Sequence, residues 1–342
     1  MIITRTPFRI PLGGGGTDLP SFYRREGGFV FSAGIDKYMF ICVNQPIVDD
    51  LIRLKYSKTE MVGSVGQVQH DLAREALRRV GFRNSVEIVS MADVPAGTGL
   101  GSSSCYLVGL LNALHTLRRD FVSLKDLAEE ACAIEIRTLK KPIGKQDQYL
   151  AAFGGLTVLD ISKTGKVTVT PAKVSRETVD DLEKHMLLFF TGTMRNALDI
   201  LSEQSRATEK RENKVVSSLQ RIKEIGFRIR EAIESGDLTR FGLLMDEHWR
   251  YKKKLSTKIS DRRFDELYDL AKKSGALGGK ITGAGGGGFF VFYCDGKPDR
   301  LRKAMRDRGL REMRYRFDFE GTKVISNFLN YRVTDAPEDA PR

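Results

Sequence analysis

The stretch that most constrains this chain is Pro95-Ala-Gly-Thr-Gly-Leu-Gly-Ser-Ser-Ser104, set between an alternating apolar segment (86–91) and a helical pattern (105–117). A strand therefore feeds a glycine-rich loop that opens a helix. Gly97, Gly99 and Gly101 let the backbone turn tightly and bring bare N–H groups up to a ligand, while Ser102, Ser103 and Ser104 add hydroxyls at the positive end of the helix. A plain strand-to-helix turn with serine caps needs one or two such residues, whereas here they make up six of the eight from Gly97 to Ser104. The pattern suits a phosphate chain.

Two other phosphate loops are excluded. No Gly-Lys pair is followed by Ser or Thr, so G-x-x-x-x-G-K-[ST] is absent. Gly283, Gly285 and Gly288 have the spacing G-x-G-x-x-G, but Phe289-Phe-Val-Phe-Tyr293 behind them reads as a buried strand, and a dinucleotide fingerprint opens a helix. With 342 residues, 41% of them hydrophobic, the chain suits two folded domains. Its net charge of +12 favours acidic ligands. The Lys and Arg residues are dispersed, as along 206–258, and lack the interleaved aromatics of a single-strand binder, so nucleic acid is not an expected partner. No segment offers the ~18 apolar residues of a membrane span. Cys42, Cys105, Cys132 and Cys294 stand singly in apolar patterns, without C-x-x-C spacing, which suits buried thiols in a reducing cytoplasm.

At the N-terminus an alternating strand (2–10) runs into Pro11-Leu-Gly-Gly-Gly-Gly-Thr-Asp18. Four consecutive glycines have no packing value and cost backbone entropy, so this loop is either a ligand approach, with Thr17 and Asp18 as its first polar side chains, or a flexible turn. Two strands are expected at 28–35 and 38–43, helices at 67–80 and 123–138, and a hairpin at 156–161 and 167–170. Glu135 falls near a helix end, where a carboxylate opposes the dipole unless a cation faces it. Exposed pairing to Arg137 or Lys140 is the plain alternative. Asp147, after Ile143-Gly-Lys-Gln, reads from position alone as the cap of a short helix at 149–153. From about Arg176 the texture becomes charged and helical, with a buried strand at 186–190 and helices over 196–234, 238–255 and 261–274. A third glycine-rich loop, Gly278 to Gly288, follows, then the 289–294 strand, a helix at 299–307 and strands around 315–319 and 323–325. This places domains at 1–175 and 176–333, with a disordered tail at 334–342.

Three glycine-rich loops in one chain are more specific than any one alone. Arg5-Thr-Pro-Phe-Arg-Ile…Gly-Gly-Gly-Thr-Asp18, Pro95 to Ser104, and Lys280-Ile-Thr-Gly-Ala-Gly-Gly-Gly-Gly288 resemble, in order, the three motifs of the galactokinase, homoserine, mevalonate and phosphomevalonate (GHMP) kinases, over about residues 3–330. Within that superfamily, Gly-Gly-Gly-Thr-Asp18 and Gly-Lys-Gln-Asp-Gln-Tyr149 look most like the D-glycero-D-manno-heptose 7-phosphate kinases.

The resemblance implies an α+β fold with a ribosomal-protein-S5-like N-terminal domain and a ferredoxin-like C-terminal domain, holding ATP and magnesium. It implies a cytoplasmic sugar kinase that phosphorylates the anomeric C1 hydroxyl of a small sugar phosphate, for nucleotide-activated heptose synthesis. By the same resemblance Pro95, Gly97, Thr98, Gly99, Leu100, Gly101, Ser102, Ser103 and Ser104 receive the ATP phosphates. Ser103 and Glu135 hold the metal. Asp147 is the catalytic aspartate, with Arg9 beside it. Gly15, Gly16, Thr17, Asp18, Gly285 and Gly286 face the acceptor, and Lys145, a basic residue just before Asp147, is a further candidate for it. Ser32 stands where relatives often carry Asn. For the acceptor's own phosphate, Thr191-Gly-Thr-Met-Arg195 puts hydroxyls and a guanidinium at a helix start, unless Arg195 merely pairs with Asp199. The other readings are a kinase for an unphosphorylated sugar such as fucose or galactose, and a non-catalytic sugar- and ATP-responsive regulator. The intact set Arg9, Ser103, Glu135 and Asp147 argues against the regulator.

Overall fold

The structure, a computed structural model, describes residues 1–194 and 197–329. Arg195 and the expected tail at 334–342 lie outside the described residues. The first half runs β1 (Ile2–Gly13), α1 (Pro20–Glu26), β2 (Gly28–Asn44), β3 (Ile52–Lys55), β4 (Thr59–Val62), α2 (Asp71–Val80), β5 (Val86–Ala92), α3 (Ser102–Leu117), α4 (Leu124–Cys132), α5 (Gln146–Phe153), β6 (Leu156–Ile161) and β7 (Val167–Pro171). The second runs α6 (Arg176–His185), β8 (Met186–Phe190), α7 (Ala197–Glu209), α8 (Asn213–Glu234), α9 (Leu238–Lys252), α10 (Arg262–Lys273), β9 (Gly278–Ile281), β10 (Phe289–Tyr293), α11 (Pro298–Asp307), β11 (Arg311–Glu312) and β12 (Lys323–Asn327).

The spine of the molecule is the antiparallel pair β1 and β2. Where two strands are expected across 28–43, β2 runs through. Pro7 has no N–H to give the ladder, and the register slips there, so that Asp36 and Lys37 bulge out of one long strand. The length of β2 lets its two ends serve different neighbours: Met39 to Asn44 pairs with β5, and Gly28 to Ala33 pairs with β6. The first sheet has the order β12-β1-β2-β5-β3-β4, with β6 and β7 on the other end of β2; the second has the order β11-β8-β10-β9. β12 thus leaves the second half of the chain and pairs antiparallel with β1.

α3 is apolar on nearly every side, with Cys105, Leu107, Val108, Leu110, Leu111 and Leu114 all buried, because it lies on β1 and β2 beneath α2, α4 and α5. A second core gathers aromatic side chains, with Phe290 and Phe292 of β10 packed among Trp249, Phe264 and Tyr268.

Several elements depart from the expectations. The helix expected over 196–234 is two, α7 and α8, reversed at Arg211, whose φ is +57°. The reversal lets Ala207 and Val215 both enter the second core. Ser123 caps α4 as expected, its hydroxyl accepting from the Asp126 amide at 3.2 Å, but the last six residues of that helix, Ala133–Thr138, are π-helical. The segment around 315–319 makes only an isolated bridge, Ile35 to Phe317. The N-terminal glycines are not free of packing either. Gly13 lies against Gly226 of α8, and a Cβ on Gly14, at φ +75°, would overlap the Phe29 carbonyl.

The late and central glycine loops are laid one on the other. Gly288, at φ +86°, passes so close that a Cβ would run into the Thr98 carbonyl, and its own N–H donates to the Thr193 carbonyl at 2.7 Å. Gly288→Ala should therefore lower the unfolding free energy by about 2 kcal/mol, read as a fall in the urea midpoint at unchanged slope. An unchanged midpoint would show that the two loops separate without cost.

Candidate active site

All three glycine-rich loops reach one cleft. Gly97, Gly99, Gly101, Ser102, Ser103 and Ser104 line it at the start of α3, where first-turn amides have no intrahelical acceptor. Pro95, Thr98 and Leu100 do not line it. The Thr98 hydroxyl donates to the Pro95 carbonyl at 2.9 Å, and Leu100 is buried in the core, where its carbonyl accepts from the Arg9 amide. These three residues shape the loop while its glycines and serines face the cleft.

Asp147 is not a helix cap. It is the second residue of α5, and its Oδ1 accepts from Arg9 Nε at 2.8 Å and lies 2.6 Å from Arg9 Nη2. Arg9 Nη1 donates at 2.7 Å to the Gly99 carbonyl, so one guanidinium joins the carboxylate to the central loop. The Arg9 side chain is only 4% exposed and that of Asp147 29%, which leaves the carboxylate open to the cleft. Asp18 lines the same cleft. Its Oδ1 accepts from the Gly16 amide at 3.1 Å and its Oδ2 from the Gln146 amide at 3.0 Å. Burial pushes its carboxyl above the usual range, opposed by the Gln146 amide and reinforced by the charge of Asp147. Gly144 makes this contact possible, since a Cβ there would overlap the Asp18 carboxylate.

Glu135 is turned inward, 1% exposed, rather than paired to Arg137 or Lys140. Its Oε2 accepts from Ser104 Oγ at 2.7 Å and Gln148 Nε2 at 2.6 Å. Burial raises its carboxyl, and these two hydrogen bonds pull the other way. The hydroxyl that touches Glu135 is thus that of Ser104, while Ser103 is exposed at the cleft. A buried carboxylate beside serine hydroxyls is an oxygen donor set that suits magnesium.

Other expected acceptor contacts need correction. Thr17 is buried and donates to backbone, the Gly14 and Phe29 carbonyls both lying 2.8 Å from its hydroxyl; it shapes the first loop. Lys145 turns away, donating to Glu129 at 2.8 Å and the Gly165 carbonyl at 2.8 Å, and Lys141 lines the cleft instead. The late loop presents Gly283 and Ala284, whereas Gly285 and Gly286 pack on Ile259. Arg195 lies outside the described residues.

The sequence reading missed a group of cleft residues. Gln204 of α7 is buried beside Gly16, its amide donating to the Gly16 carbonyl at 3.4 Å. Lys280 Nζ donates to the Leu12 carbonyl at 2.7 Å. On α9, Lys252 Nζ donates to the carbonyls of Ile281 and Gly283, both at 2.7 Å, and His248 stands one turn earlier with both ring nitrogens unpartnered. Burial and then Arg9 push the Lys252 ammonium down to about 7, and burial with the neighbouring Lys252 and Arg9 holds Lys280 well below its ordinary value. Only Lys280 belongs to a motif. Lys252 is one of the dispersed basic residues of 206–258, and neither it nor His248 belongs to any motif.

The GHMP kinase N-terminal domain model matches residues 67–155 and the C-terminal model 229–310. The D-glycero-alpha-D-manno-heptose 7-phosphate kinase of Campylobacter jejuni is 31% identical over 94% of this chain and 97% of its own length. The chain belongs to the GHMP kinases. Among solved structures, this GHMP kinase is similar to a D-glycero-D-manno-heptose 1-phosphate kinase from Bacteriodes thetaiotaomicron, at 25% identity and TM-score 0.78 over 96% of this chain and 100% of that one. It is similar in fold to the Lactococcus lactis galactokinase, at 18% identity and TM-score 0.75 over 94% of both chains. The α+β kinase fold with its two domains, and ATP-dependent phosphoryl transfer, follow from the family.

The lowered Lys252 has a consequence for stability. Between about 7 and the ordinary lysine value of 10.5, the unfolded chain holds a proton that the folded chain has released. In that window this residue therefore makes stability rise with pH, by up to ~1.4 kcal/mol per unit. Lys252→Met removes the slope. The difference in unfolding free energy, parent minus variant, should climb when urea titrations are run from about pH 7 to about pH 9. A flat difference would mean that the ammonium keeps its proton in the folded enzyme.

Proposed function

We propose that this kinase transfers the γ-phosphoryl group of ATP to the anomeric C1 hydroxyl of D-glycero-D-manno-heptose 7-phosphate, in the cytoplasm, as a step towards nucleotide-activated heptose. The observation that carries the reading is the cleft in which an open carboxylate, Asp147, is bonded to Arg9 and Arg9 in turn to the phosphate-type loop, with Asp18 across from them for sugar hydroxyls. Asp147 takes or orients the proton of the attacking hydroxyl. An anomeric hydroxyl is more acidic than an ordinary alcohol, so an ionised carboxylate is a sufficient base. Arg9 and the first-turn amides of α3 stabilise the dispersed charge of a loose transition state. Magnesium would be held by Glu135 and Ser103, with Ser104 orienting the glutamate, and would neutralise phosphate charge. Division of the chain at 175/176 puts these groups in the first domain and closes the cleft with the second.

The names of the two heptose kinases differ in where the acceptor already carries its phosphate, and the more similar relative, at 31% rather than 25% identity, supports the 7-phosphate. A hollow next to the cleft supports a phosphorylated acceptor as well. It shares Leu19, Lys141 and Ile143 with the cleft and adds Arg24 and Arg25. Those cations would hold the distal phosphate; Arg195, the residue expected for that role, lies outside the described residues.

ADP release across a panel of free and phosphorylated sugars, with the product's phosphate located by NMR, tests this reading. Turnover should be highest with the heptose 7-phosphate and give the 1,7-bisphosphate; a preference for free fucose or galactose would overturn it. Asp147→Asn should fold and bind ATP yet lose about two to four orders of magnitude in kcat. Glu135→Gln should raise the magnesium concentration needed for half-maximal rate. If Ser104→Ala shifts that titration and Ser103→Ala does not, the serine ligand is Ser104.

A further inference from the structure

Four nitrogen bases converge on the cleft: Arg9, His248, Lys252 and Lys280 are 4%, 1%, 8% and 1% exposed. Arg9 has Asp147 as its counter-ion. Among the described residues no carboxylate bonds to Lys252 or Lys280, whose ammonium groups end on backbone carbonyls, and His248 has no partner. Burying an ammonium without an opposite charge costs several kcal/mol, so such a group either sheds its proton or meets an anion brought by a ligand.

The position of Lys252 indicates which anion. Arg9 is bonded to the Gly99 carbonyl and Lys252 to the Gly283 carbonyl, and these two glycines touch: a Cβ on Gly283 would lie 2.8 Å from the Gly99 Cα. The two cations therefore flank the junction of the central and late loops, where the phosphate loop adjoins Asp147. Facing Lys252 are Arg9 from β1, Lys280 from β9 and His248 from α9 itself, with Asp147 of α5 behind Arg9. Arg24 and Arg25, proposed for the acceptor's own phosphate, line the neighbouring hollow, which Lys252, Lys280 and His248 do not line.

We propose that Lys252 binds the terminal phosphoryl group of the nucleotide together with Arg9, and that Lys280 and His248 close the pocket behind it. The inference deepens the kinase reading and rests on ATP as the donor, not on any particular acceptor. A loose transition state spreads charge over three equatorial oxygens, and a cation from the second half of the chain meets that charge only once the late loop is in place. The amine is largely neutral in the free enzyme at about pH 8, so arrival of the polyphosphate draws a proton from solvent.

Calorimetric titration of MgATP and of MgADP into the full chain without acceptor, at about pH 8 in two buffers of different ionisation enthalpy, counts that proton. The parent should take up roughly half a proton or more with MgATP and clearly less with MgADP. Lys252→Met should take up none and lose about tenfold in MgATP affinity or more, while unchanged MgADP affinity shows that it is folded. Lys252→Arg, which keeps the charge without titrating, should hold MgATP within about threefold of the parent, again with no uptake. His248→Asn should keep the uptake. Equal uptake in the parent and Lys252→Met overturns the proposal, as does equal weakening of MgATP and MgADP. Uptake on adding the sugar phosphate alone would put the ammonium on the acceptor's phosphate and would also overturn it. These outcomes do not depend on which sugar is turned over, so the acceptor reading can fail while this one stands.

Discussion

A buried guanidinium holds the cleft together. Arg9 sits in the middle of β1, reaches Asp147 with Nε and Nη2 and the Gly99 carbonyl with Nη1, and through them fixes the start of α5 and the central loop relative to the sheet. A lysine could make one of these contacts but not all three in one plane. The structure around it serves to place this residue: β1 is covered by α3 and α8, paired on its edges by β2 and β12, and β2 bulges opposite Pro7 just before Arg9.

Around that pair the ionisable groups are held away from their ordinary charge balance. Burial raises the carboxyls of Asp18 and Glu135 and lowers the amines of Lys252 and Lys280. The free cleft is thus electrostatically unsatisfied in both senses. Substrate hydroxyls and phosphate would supply the missing partners, with little reorganisation needed.

The three glycine-rich motifs made the family legible in the sequence, and only the resemblance they carry, not the position of Asp147 in the chain, put Arg9 beside it, as the structure does. The side-chain directions were not legible. Lys145 and Lys141 are equivalent in composition, yet one pairs with Glu129 and the other lines the cleft. Thr17 and the glycines at 13 and 14 looked like ligand contacts because the chain gives no sign of Phe29 and Gly226 packing on them. Nor does Asp-Glu-His-Trp-Arg-Tyr-Lys252 show that its His and Lys point inward; that follows from Trp249 anchoring α9 in the second core.

The pairing of β12 with β1 has a consequence for how the enzyme is made. During synthesis β1 emerges first and β12 last of the described strands, so one edge of β1 stays unpaired until Lys323–Asn327 has left the ribosome. An open edge of this kind invites the wrong neighbour. The nascent first half therefore waits with an open flank until the second half has been made, and a chaperone that shields strand edges has its longest opportunity there.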